Sequence, residues 1–145
     1  MFYSFLFPKS LNREKGESLL LLGMRVVFGC LLMVHGFQKL GSYDTLAGGA
    51  FPDPLGIGSG VSVSLAIFGE LFCSIGFITG FLYRLSMIPM IITMLVAFVF
   101  VHKGNVFEGE LAVVYLVVFV FLYVIGPGRY SLDKPIAKFL KDRHK

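Results

Sequence analysis

Four long apolar runs, roughly Leu19–Leu40, Val61–Tyr83, Leu85–Val101 and Leu111–Ile125, make up most of this chain. Crossing the hydrocarbon core of a bilayer takes about 20 mostly apolar residues. Outside a closed barrel, only a helix satisfies every backbone group there internally. The expected fold is therefore an all-α integral membrane four-helix bundle. Its helices are placed at approximately 18–40, 60–83, 85–102 and 110–126, within one transmembrane domain spanning 1–145. Composition points the same way: 15% of residues are charged, against about 25% in a soluble domain.

The remaining charge is unevenly placed. Lys9, Arg13 and Lys15 precede the first run, and Arg129, Lys134, Lys138, Lys141, Arg143 and Lys145 follow the fourth. If the helices alternate, Arg84, between the second and third runs, joins them on one side of the membrane. Lys39 and Lys103 lie on the other. The positive-inside rule then puts both termini in the cytoplasm. A net charge of +4 arranged in this way meets anionic lipid headgroups, and no nucleic-acid partner is expected. The first run is longer than a signal-peptide core and no small-residue cleavage site follows it, so no cleaved signal peptide is expected.

Gly41–Gly60 is the longest connection, and Gly48, Gly49, Pro52, Asp53, Pro54, Gly56 and Gly58 exclude a regular helix through it. It is either a lid over the outer mouth of the bundle or a linker. Gly76 and Gly80 form a G-x-x-x-G spacing, and Gly23, Gly29 and Gly36 stud the first helix. Small residues of this kind let helices approach closely in lipid. Pro89 is expected to bend the third helix. After Gly126-Pro127-Gly128-Arg129, Ser131 or Asp133 is placed to cap a short helix at about 132–141. Its apolar positions Ile136, Phe139 and Leu140 fit a helix lying in the membrane interface. The Phe-rich start, Met1–Pro8, has a similar character.

The polar residues inside the runs carry the functional argument. At 1.5 Å per residue Arg25 lies about 10 Å into the first helix, and Glu70 about 19 Å from the end of the second. A lone charge at such depth needs a partner or water, and Arg25 with Glu70 is the expected buried ion pair. The pair either locks two helices together or marks a polar cavity. His35 and Lys39 are four apart and share a helix face. His102 closes the third run, and Glu108 and Glu110 open the fourth. His35, Lys39, Glu70, His102 and Glu110 are thus expected to line one outward-facing pocket, although plain solvation is the simpler reading for His102 and Glu108. No His/Cys/Glu pair has tight ligand spacing, so no metal site is expected; a haem, held by two histidines, is a disfavoured alternative. Cys30 and Cys73 come out at similar depths, and mid-membrane cysteines are usually small packing residues.

Taken in order, Arg25, His35-Gly36-Phe37-Gln38-Lys39-Leu40, Gly69-Glu70, Arg84, His102, Glu110 and Gly126-Pro127-Gly128-Arg129-Tyr130-Ser131-Leu132-Asp133 resemble the DoxX family of small four-helix bacterial membrane proteins. The resemblance runs from about Leu20 to Asp133. It implies a bacterial inner-membrane protein associated with quinone-linked oxidation. One branch of the family is the small subunit of a thiosulfate:quinone oxidoreductase or terminal quinol oxidase complex. Two histidines, a lysine and a carboxylate would suit a quinone headgroup, which needs hydrogen bonds to its oxygens and a route for protons. No nucleotide, flavin or iron–sulfur motif is present. The chain is therefore expected to act with a partner subunit, or as a homo-oligomer, and not as an enzyme alone. The alternatives are a non-catalytic membrane anchor or assembly partner, and a small carrier or channel with Arg25 and Glu70 along its path.

Overall fold

In the structure, a computed structural model, residues 15–143 are described, with side chains through Phe139. Lys9, Arg13, the Met1–Pro8 start and Lys145 lie outside the described residues, as do the side chains of Leu140 and Lys141. Helix α1 runs Lys15–Gly41. Its buried residues Ser18, Arg25, Gly29, Leu32 and Gly36 fall at spacings of seven, four, three and four, one stripe down a 3.6-residue helix. Helix α2 spans Ser59–Thr79 and α3 spans Tyr83–Val101, and both, like α1, are long and apolar enough to cross a membrane. Helix α4, Glu110–Ile125, is apolar but shorter. Helix α5 follows at Asp133–Arg143. The described residues are all helix, turn and loop.

The second helix stops four residues before the expected position. Gly80 takes a left-handed conformation with φ 70°, and Leu82 does the same with φ 45°. The chain therefore reverses at residues 80–82, and α3 opens at Tyr83. This gives Gly76 and Gly80 different work from a helix-crossing motif. Gly76 sits beneath Ser86 and the Phe81 carbonyl, and Gly80 is the helix cap. The close approach of α1 to α2 is made by Gly29 and Gly36 instead. A Cβ at Gly36 would lie 2.9 Å from Leu71 Cβ and 3.0 Å from Leu71 N.

All four long helices contribute to the core. Phe77 stacks on Tyr83 at 5.7 Å between ring centroids and meets Phe119 edge-on at 5.4 Å. Leu32, Met87, Met90 and Met94 fill in around them. Pro89 lies inside α3 without ending it.

The long connection is folded, not slack. Tyr43–Thr45 and Leu46–Ala50 form short helical turns. Asp53 then accepts hydrogen bonds from Ile57 N, Gly58 N and Ser62 Oγ, tying the connection to the start of α2. These bonds hold the Asp53 carboxyl below its ordinary range, the Ser62 hydroxyl contributing most.

Candidate functional site

The bundle has two polar centres, one at each end. At the end bearing the 80–82 reversal, the turn end, Arg25 is fully buried. Its Nε donates to Phe77 O, Nη1 to Pro127 O and Tyr130 O, and Nη2 to Ile78 O, at 2.5–2.9 Å. Its guanidinium carbon lies 5.6 Å from the Tyr83 ring centroid. Phe77 and Ile78 supply two of the last carbonyls of α2, which have no partner within the helix. A cation there also complements the helix dipole.

The segment after α4 completes this clasp. Ser131 Oγ donates to Gly80 O, Asp133 N donates to Gly80 O, and Leu132 N to Thr79 O. The Asp133 carboxylate accepts Leu82 N at 2.7 Å and Tyr83 N at 2.9 Å. It therefore caps the start of α3, and of the two residues placed to cap α5 it is Ser131 whose Oγ accepts an amide there, Asp133 N at 3.2 Å. Burial pushes the Asp133 carboxyl upward, against the pull of the two amides and of Arg25.

The expected Arg25–Glu70 pair is not formed. Arg25 is held by the carbonyls that the reversal leaves over, together with those of Pro127 and Tyr130, and Glu70 pairs with Lys39 (Nζ to Oε2, 2.5 Å).

At the opposite end, the loop end, Glu70 is nearly inaccessible at 5%, while Lys39 keeps 24% exposure. Glu70 sits in a π-helical turn, Phe68–Phe72, and its own carbonyl accepts Ser74 Oγ. Such turns are rare and recur at functional sites. Another π-helical turn, Ala97–Val101, ends α3. Lys39 and Glu70 line a cavity of about 240 Å3 together with Thr93, Val96 and Ala97 of α3 and Phe51 of the connection. Pro52, Pro54, Leu55 and Ile57 complete its cover.

The five residues expected to share one pocket divide. Lys39 and Glu70 line the cavity. His35 lies behind it, half-buried, edge-on to Tyr115 at 6.4 Å between centroids, and within electrostatic reach of Glu70. His102 is packed over Gly109, and Glu110 is exposed at the start of α4. Neither is part of the cavity wall. The residue that sequence reasoning missed is Tyr115, buried and edge-on to His35. It lies within an unbroken apolar run, and only its hydroxyl set it apart from core aromatics. Both cysteines are free, Cys30 exposed and Cys73 buried in the core. Among the described residues no group of three His, Cys, Asp or Glu side chains is placed to hold a metal ion.

The DoxX family profile matches residues 20–103. The chain belongs to the DoxX family. An uncharacterized protein of Haemophilus influenzae is 30% identical over 141 residues, covering 90% of this chain and 98% of that protein. No solved structure matches. Every residue lining the loop-end cavity falls inside the DoxX match, as does Arg25. Pro127, Tyr130, Ser131 and Asp133, the other half of the clasp, fall beyond it.

Proposed function

We propose that this DoxX protein is the membrane subunit of a quinone-linked oxidoreductase in the bacterial inner membrane, and that the loop-end cavity receives a quinone or quinol headgroup. The observation that carries the reading is unused hydrogen-bonding capacity at the back of an apolar cavity. Among the described residues, Lys39 uses one of its three donor hydrogens and the Glu70 carboxylate accepts one hydrogen bond of the roughly four it can take. A quinone oxygen accepts from the Lys39 ammonium, and a quinol hydroxyl donates to Glu70. Lys39 then stabilises negative charge on a reduced oxygen, and Glu70 takes or returns the proton. His35, edge-on to Tyr115, is near enough to act on the charge of the carboxylate. The electrons come from a partner subunit, since the chain has no motif for a redox cofactor of its own.

The test is direct titration of purified protein with quinone, in the wild type and in the Glu70→Gln and Lys39→Met variants. Both variants lose binding, and His35→Ala weakens it less. Wild-type affinity in both cavity variants refutes the site. A wild type that binds no quinone leaves the non-catalytic anchor as the standing alternative. Orientation belongs to the same reading: the termini face the cytoplasm and the cavity faces outward. Reporters fused at Gly49 and at Lys145 then read opposite compartments.

A further inference from the structure

The shape of the cavity bears on how a ligand reaches it. Pockets that enclose a drug-sized molecule run to about 300–1,000 Å3, so about 240 Å3 takes a single ring and leaves a long chain outside. The floor is closed, because α2 and α3 touch at Gly69. A Cβ there would lie 2.5 Å from Thr93 Oγ1 and 3.2 Å from Pro89 O. The roof is the connection pinned by Asp53 to Ile57, Gly58 and Ser62. The remaining side lies between α2 and α3. There the lining residues Leu65 and Ile92 are 54% and 53% exposed. On helices that cross a bilayer, such residues face lipid chains.

We infer that the ligand enters sideways from the lipid between α2 and α3, and binds with its head at Lys39 and Glu70 and its chain lying across Leu65 and Ile92. The inference rests on the headgroup site proposed above. It adds the route and the class of molecule: an amphiphile with one compact hydrogen-bonding head and an apolar chain. The wall chemistry matches such a molecule. Away from Lys39 and Glu70, its polar side chains are the hydroxyls of Ser62 and Thr93. A water-soluble ligand would gain little from the apolar mouth, whereas a chain anchored in lipid keeps its head at the membrane level of Glu70.

The experiment uses two probes, a benzoquinone ring carrying a decyl chain and the same ring without it. Leu65→Trp and Ile92→Trp, combined, narrow the mouth at positions that already face outward. The decyl probe loses about tenfold in affinity and the bare ring stays within about twofold of wild type. Equal loss of both probes, or loss of neither, while Glu70→Gln still abolishes binding, overturns the side route and leaves the headgroup site standing. Faster association in Asp53→Ala, with no effect of the mouth substitutions, moves entry to the roof and also overturns it. A wild type that binds neither probe overturns the site and the route together.

Discussion

At the turn end Arg25 is fully buried and directs its guanidinium at four backbone carbonyls, while at the loop end Glu70 has one lysine partner beside a cavity. Both are ionisable groups inside apolar helices, and both looked equally functional in the sequence. Burial does not separate them. Saturation does: four of the five guanidinium N–H groups are used, whereas the lysine and carboxylate each keep capacity for another molecule. A buried charge saturated by its own backbone holds the fold together. One left with spare hydrogen-bonding capacity beside a cavity is where a ligand is expected.

The largest expected effect breaks the turn end. Arg25→Met leaves several carbonyls without donors and costs about 3–5 kcal/mol in unfolding of the detergent-solubilised protein. Arg25→Lys recovers only part of that, because a single ammonium cannot reach carbonyls spread around a planar fork. The quinone binding proposed for the loop end is unchanged in the surviving folded protein. Next comes Gly36→Ala, which pushes α1 away from the α2 backbone at Leu71 and costs about 1–3 kcal/mol. Gly23→Ala, with nothing within 4 Å of the added carbon, serves as its neutral control.

Glu70→Gln sharpens the contrast. Lys39 is partly exposed and can turn to solvent, so stability changes by about 1 kcal/mol or less, yet quinone binding is lost. A destabilisation as large as that of Arg25→Met would make the two ends alike and reduce the Lys39–Glu70 pair to a lock between helices.

The smallest effect concerns the roof. The Asp53 pKa is lowered in the folded protein, so its ionised form stabilises the connection above the ordinary carboxylate range, and that contribution fades as pH falls through the depressed folded value. Hydrogen exchange at Ile57 and Gly58 therefore speeds up on acidification, beyond the intrinsic trend, and Asp53→Asn removes that dependence.

The helices were legible because apolar run length reports directly on membrane crossing, and the wall residues Lys39 and Glu70 because a charge in such a run is costly wherever it points. The pairing was not legible. Which carbonyls lack a partner depends on where α2 ends, and that is set by left-handed backbone at Gly80 and Leu82, the latter invisible in a leucine. The choice between Ser131 and Asp133 as cap of α5 was open for the same reason: the amides Asp133 caps are some 50 residues away in sequence. His102 and Glu110 were counted to the same membrane level as Glu70 but do not line the cavity, and depth counting yields only the level.

The clasp has a consequence for how the chain is made. Phe77 and Ile78 come with the second helix, but Pro127, Tyr130 and Asp133 emerge only after the fourth. During synthesis, therefore, the first helices enter the membrane with Arg25 half satisfied and the start of α3 uncapped. Residues 127–133 can dock only once they have emerged. A product interrupted after Ile125 would keep its apolar spans yet leave Arg25 without two of its four carbonyl partners, those of Pro127 and Tyr130.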